Sequence, residues 1–295
     1  MDISPIAASR PALPVELHAA TREQHHALNT AILGRLPLCL PPCVNSPLLY
    51  TQGMIVFGQI YFAFEGFLEK SLTSALFDVR LRGIYQRMHF RELTRSSRLR
   101  DDIELLRSRL DHRVAVDLSR LSEQAQVFAS RITSYLSSQP YALLAYTWAM
   151  YLALFNGGQW IRRQLVSAGP DFWGTGELPL SFWDFGVDDG GDVQQETLKV
   201  RFKTAFADAS ALLTEVESSE VIDGARDLFV TCLQMVEFLD QAVVERTSSE
   251  SRSPGFGYPS PTSTFVTAWG YITSSLALLK TTTQVVWSSR VEVND

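Results

Sequence analysis

Tyr146-Thr-Trp-Ala-Met-Tyr-Leu-Ala-Leu-Phe-Asn-Gly-Gly-Gln-Trp-Ile-Arg-Arg-Gln-Leu165 reads as one long apolar helix with two adjacent glycines near its centre. Each glycine in a helix interior costs roughly 0.8–1.0 kcal/mol relative to alanine. Gly157 and Gly158 therefore need compensation from something that comes close to the backbone. One candidate is a flat ligand, because a chain without Cβ atoms can bend and lie against a planar surface. The other is a bulky neighbouring side chain packed onto the helix. The glycines by themselves leave both open.

Working outward from this stretch, the remaining patterns are also helical. Pro14 suits a first helical turn, and Val15 to Leu36 repeats at helical period until Pro37. Residues 37–48 form a loop, and Tyr50 to Leu76 reads as a second helix buried on most sides, ending in charges at Glu65, Glu69 and Lys70. Val79 to Arg113 is rich in arginine, with His89, Glu92, Asp101, Asp102 and Glu104, and reads as shorter helices with a solvated charged face. Asp117 to Leu136 is amphipathic. Ser137 to Pro140 opens the glycine-bearing helix, which extends to Gly169-Pro170. Gln195 to Glu217 and Ser219 to Arg246 restore the helical period. No alternating strand pattern persists, so the fold class is all-α.

This organisation predicts a lead over residues 1–13, one helical domain over 14–246, a Ser/Pro/Gly-rich linker over 247–263 and a C-terminal segment over 264–295. The apolar run Phe265 to Leu279 is shorter than the ~20 residues a bilayer span requires, so a packing segment is expected ahead of a membrane anchor. Composition narrows the function classes. A net charge of −6 and a pI near 5.5 oppose a duplex nucleic-acid binder, which carries a basic face. Three cysteines, Cys39, Cys43 and Cys232, oppose a disulfide framework and favour a reducing compartment. With no Cys/His pair beside Cys39 and Cys43, structural thiols are expected there and zinc is not. The start of the chain lacks the basic and apolar regions of a secretory signal, which predicts an intracellular, cytoplasmic protein. The acidic cluster Asp188 to Asp192 lacks the ligand ladder of an EF-hand and reads as a turn.

The first helix carries three of the five histidines. Leu17, Thr21, Leu28 and Ile32 share a side with His18 and His25, which lie two turns apart, whereas His26 points toward Arg22 and Asn29. A histidine on an apolar face is either a core residue satisfied by a backbone carbonyl or a ligand. Glu23-x-x-His26 has the i, i+3 spacing of a di-iron site, without the second such motif that those sites use.

Two stretches together resemble the heme oxygenase family. Ala19-Ala-Thr-Arg-Glu-Gln-His25 resembles its first-helix motif, which implies that His25 ligates heme iron. Leu152-Ala-Leu-Phe-Asn-Gly-Gly-Gln159 resembles its distal-helix motif, which implies that Gly157 and Gly158 bring backbone over the porphyrin. Leu198-Lys-Val-Arg-Phe-Lys203 is similar to the basic helix that meets the propionates, which implies that role for Lys199 and Lys203. His18 falls where the family carries a cation near a propionate. Tyr50 to Glu69 resembles the second helix, and the likeness extends over roughly residues 14–245.

The resemblance implies cleavage of heme to biliverdin, carbon monoxide and ferrous iron, with O2 and electrons from a partner reductase. One departure bears on that activity. The family pattern Gly-Asp-Leu-Ser-Gly-Gly is here Ala153-Leu-Phe-Asn-Gly-Gly158, so Leu154 stands where an aspartate organises distal water. Oxygen activation requires ordered proton donors near the iron, and Asn156 is the residue that can partly replace the lost one. Two other readings compete: a diverged member acting as a heme carrier or sensor, or as a tailoring enzyme on another small molecule, and the non-heme di-iron enzyme.

Overall fold

Pro14, in its first turn, opens α1 (Leu13–Arg35), which ends at a short 3-10 turn, Leu36–Cys39. A computed structural model describes residues 11–185 and 191–250, and every regular element among them is helical. The chain divides by compactness after Leu239, and the packing described below lies within the first unit.

The second helix, α2 (Leu48–Thr73), is apolar nearly all round and is buried along most of its length, as expected for a helix covered on several sides. It packs against α3 (Val79–Met88), α4 (Ser96–Ser108), α5 (His112–Ser138) and α6 (Leu143–Ala153). Contact with α4 is close at Gly58, where a Cβ would fall 2.8 Å from Leu99. Asp78 and Asp111 cap α3 and α5 by accepting from the amides of Leu81 and Arg113, at 2.6 and 2.8 Å. These are short polar side chains at N-cap positions, where they satisfy amides that the helix leaves unpaired.

Five residues, Leu154–Gly158, wound as a π-helix, lead without interruption from α6 into α7 (Gln159–Ser167). The single long helix expected from the sequence is thus present, with its winding changed at the glycine pair. A one-turn helix, α8 (Pro170–Trp173), and a 3-10 turn, Ser181–Trp183, then fold back along the bundle. Next come α9 (Gly191–Ser210) and α10 (Glu215–Glu250).

The break between the last two helices departs from the expected helix over Gln195 to Glu217. Thr214 and Glu217 form a reciprocal capping box: the Thr214 amide donates to Glu217 Oε2 at 2.8 Å and the Glu217 amide to Thr214 Oγ1 at 3.3 Å. This S/T-x-x-E pattern starts a helix and does not end one. Arg80 of α3 clamps the same carboxylate with both terminal nitrogens, at 2.6 and 2.9 Å, and that hydrogen-bonded charge holds the Glu217 carboxyl well below its ordinary range.

α10 approaches the start of α6 through Gly224. A Cβ there would lie 2.5 Å from the Cβ and 2.9 Å from the Cα of Ala142. Gly224→Ala must therefore push the two segments apart, at a cost of about 1–3 kcal/mol typical of overpacking. A lowered urea midpoint with unchanged slope is the expected result, and adding Ala142→Gly should recover part of it.

Candidate functional site

The π turn is where the sequence left two readings of the glycines open, and the neighbours of Gly158 decide its case. A Cβ on Gly158 would lie 3.4 Å from the six-membered ring of Trp183 and 3.1 Å from the carbonyl of Ala153. A bulky side chain thus occupies the space that the missing Cβ leaves. Trp183 is held in turn, since its Nε1 donates to the Tyr50 hydroxyl at 2.9 Å. Tyr50 stands edge-on to Trp173, 5.2 Å between centroids, and Trp173 Nε1 donates to the Leu165 carbonyl at 2.8 Å. Beside this, Phe155 stacks on Phe185 at 4.6 Å and 13°. Leu154 is 2% exposed, and its carbonyl accepts from Gln159 Nε2 at 3.3 Å. Asn156 is exposed and Gly157 half-buried.

Behind the turn, two carboxylates expected in a solvated charged face or patch prove to be buried. Glu65 of α2 accepts from the amides of Arg95 and Ser96 at 2.9 and 2.8 Å and from the Tyr151 hydroxyl at 3.0 Å. It therefore caps α4 from a different helix and ties α6 to the same point. A carboxylate meeting a helix N-terminus is favoured by the orphan amides and by the dipole. Asp102, also buried, accepts from Ser181 N, Ser181 Oγ and Phe182 N at 3.0, 2.8 and 2.8 Å, which fixes the turn carrying Trp183. Burial nevertheless raises its pKa above the ordinary carboxylate value despite those bonds.

Arg95 completes this correction of the solvated-face reading, being 0% exposed. Its Nη1 donates to the carbonyls of Glu92 and Thr94, and its guanidinium lies 4.7 Å over the Phe185 ring. Burial outweighs the favourable charges around it and draws its pKa down to about 10. Charge runs usually face water, but here each buried charge meets backbone groups or an aromatic face that offset part of its desolvation, and Arg95 still keeps its Nε and Nη2 buried without a hydrogen-bond partner.

The predicted ligand helix lies in α1. His25 is an exposed residue, open to solvent on one side, yet it meets the Phe229 ring of α10 edge-on at 5.6 Å. Burial by the surrounding protein, then the charges of His18 and His26, lower its pKa. The neutral imidazole, the form that binds metals, therefore persists below the usual histidine range. His18 and His26 are both exposed. Of the predicted propionate partners on α9, Lys199 pairs with Glu196 at 3.4 Å and Lys203 is exposed.

α9 connects the elements that carry these residues. It packs against α1 and against α6, where Trp148 meets Phe206 at 4.2 Å. Among the described residues no three His, Cys, Asp or Glu side chains converge, so Glu23 and His26 gain no further ligands there for two irons. Cys39 and Cys232 have pKa values raised to about 12, chiefly by burial, as suits inert thiols. Asp188 to Gly190 and Phe265 to Leu279 lie outside the described residues, while Gly191 already begins α9. Among the described residues, no helix is long and apolar enough to cross a membrane.

A heme oxygenase family model matches residues 56–238. The heme-binding protein HMX1 of Saccharomyces cerevisiae is 24% identical over 234 residues, which span 74% of this chain and 72% of that protein. Among solved structures, heme oxygenase from Leptospira interrogans superposes with a TM-score of 0.58 at 18% identity, over 77% of this chain and 98% of that one. Heme oxygenase-1 from Synechocystis sp. PCC 6803, solved with heme, gives 0.55 at 17% identity over 82% and 98%.

The arrangement behind the π turn has a direct stability test. Glu65→Gln replaces one acceptor oxygen with an amide NH2 that donates and cannot accept from Arg95, Ser96 or Tyr151, leaving a buried donor unmet at about 1–3 kcal/mol. Thermal unfolding should show a lower Tm for this variant, whereas Glu69→Gln, on the exposed side of α2, should leave it unchanged.

Proposed function

Because the chain belongs to the heme oxygenase family, we propose that it binds heme between α1 and the α6–α7 helix, with His25 as the iron ligand. The observation that carries this reading is His25 itself: an imidazole on α1 that meets the Phe229 ring of α10 and whose pKa is lowered chiefly by burial, which favours the neutral form. Neutral histidine is a suitable axial donor to heme iron, and the polarity of the opposite wall sets what happens next. Lys199 and Lys203, four residues apart on α9, reach the same side and would hold the two propionates. Lys199 would exchange its exposed partner Glu196 for a propionate at little cost, since such surface pairs contribute little. His18, two turns from His25, would supply a further donor at the edge.

Bound heme with O2 and electrons from a reductase supplies the oxidising chemistry of ring cleavage to biliverdin, carbon monoxide and ferrous iron. What this chain adds is position and exclusion. The glycine pair keeps the π turn slim, Leu154 and Phe155 line it with apolar surface, and Asn156 and Gln159 are the polar side chains that flank the glycines in sequence.

A second reading, a heme carrier or sensor on the same fold, is favoured by one observation. Leu154 is apolar and buried where the family pattern has an aspartate, so proton delivery at the turn would rest on water and the flanking amides of Asn156 and Gln159, the second of which already donates to the Leu154 carbonyl.

Two measurements test the proposal. Hemin titrated into the native protein should bind close to one per chain and give an intense visible band, which His25→Ala should shift or abolish and His26→Ala should leave alone, because adjacent helical residues point about 100° apart. An unchanged His25→Ala spectrum and affinity would remove the ligand assignment. With a reductase supplied, the native protein should form biliverdin slowly and Leu154→Asp faster, once folding and heme content of the variant match, since an unpaired buried carboxylate is itself destabilising. Rapid turnover by the native protein, insensitive to Asn156→Ala, would contradict the role given to Leu154.

A further inference from the structure

The π turn opens and closes on main-chain bonds tighter than those of an α-helix. On entry the Leu154 amide donates to the Tyr151 carbonyl, three residues back, and on exit the Gln159 amide donates to the Asn156 carbonyl. Continued α winding would send the Leu154 amide to Met150, and π winding would send the Gln159 amide to Leu154. Two carbonyls thus lose the amide that regular winding assigns them, and each is met by a side chain. The Tyr61 hydroxyl of α2 donates to the Met150 carbonyl at 3.1 Å, and Gln159 Nε2 reaches back to the Leu154 carbonyl at 3.3 Å.

These two donors sit at opposite ends of the turn. Tyr61 is buried, with Phe182 edge-on at 5.0 Å, and Gln159 is half-buried. A carbonyl turned out of the helix ladder and left without a donor is costly where it is shielded from water. The side-chain donors therefore favour the winding that frees these carbonyls. What depends on that winding is the open side of the turn. Leu154, Phe155 and Gly158 are buried, whereas Ala153 and Asn156 are exposed and Gly157 is half-buried. Successive residues of an α-helix stand about 100° apart, so a different winding between Leu154 and Gly158 would turn Asn156 and Gly157 away from the side that Ala153 occupies.

We infer that Tyr61 and Gln159 are positioning residues of the candidate site, fixing the winding of Leu154–Gly158 and with it the face made by Ala153, Asn156 and Gly157. That heme lies on this face rests on the function proposed above; that the two side chains hold the turn does not. Gln159 acts through the Leu154 carbonyl, where its donor is already engaged, whereas Asn156 belongs to the exposed face itself.

Hydrogen–deuterium exchange of the full-length protein without heme, read by mass spectrometry over the peptide that spans the turn, tests the pair. Gln159→Glu keeps the size of the side chain but, when ionised, can only accept, and Gln159→Lys can only donate. Exchange of the turn should be at least about tenfold faster in Gln159→Glu and in Tyr61→Phe, and within about twofold of native in Gln159→Lys. Gln164→Glu, on the exposed side of α7, should leave it unchanged. A Gln159 that only fills space predicts the reverse, with Glu tolerated and the longer Lys not. Native exchange in a folded Gln159→Glu protein, or exchange as fast in Gln159→Lys as in Gln159→Glu, would overturn the role of Gln159. Tyr61→Phe decides the same point from the other end of the turn, and native exchange there would overturn the role of Tyr61. Hemin titration reads the consequence for the face: binding at least about threefold weaker by Gln159→Glu than by Gln164→Glu is expected, and equal binding despite accelerated exchange would contradict it. A native protein that binds no hemin would remove the proposed function, while the exchange result would still decide whether the two side chains hold the turn.

Discussion

One buried carboxylate governs how the helices around the π turn are placed. Glu65, projecting from the central helix α2, accepts from the first amides of α4 and from the Tyr151 hydroxyl on α6. Three elements distant in sequence thus share a single acceptor in a region where water cannot substitute for any of them. Buried polar groups of this kind fix geometry because each unmade bond leaves a desolvated donor behind. The aromatic layer then fills the space this fixes, with Phe64 against Tyr151 at 5.4 Å and Tyr151 against Phe202 at 5.8 Å.

From that anchored layer the position of the π turn follows. Asp102 holds the Ser181–Trp183 turn, Tyr50 holds the Trp183 indole, and the indole lies against Gly158 where any larger residue would meet it. The cost of glycine in a helix is offset here by close packing of protein on protein. Gly158 is thereby explained without a ligand, and the case for heme rests on α1, on the family and on the other side of the turn.

The all-α class, the central second helix and the continuous glycine-bearing helix were legible because hydrophobic period and helix stops are local signals. The break at Thr214 was also written locally, as a Thr-x-x-Glu box, but the apolar period of Leu198, Phe202, Phe206 and Leu213 runs straight through it. Arg95 and Asp102 were not legible as buried residues. Nothing in an arginine-rich run tells which charge faces inward, since that depends on amides and rings contributed from far along the chain, such as the Phe182 amide and the Phe185 ring. The heme oxygenase motifs on α6–α7 and α9 fall within the family match, whereas α1, which carries His25, lies before its first matched residue, 56. The ligand assignment thus stands on the local motif and on the chemistry of that side chain.

A crystal structure of the full chain loaded with hemin tests the central claim most directly. The account predicts one porphyrin per chain with its iron bonded to a ring nitrogen of His25. Iron bonded to His18 or His26, or a porphyrin bound away from α1 altogether, would contradict it.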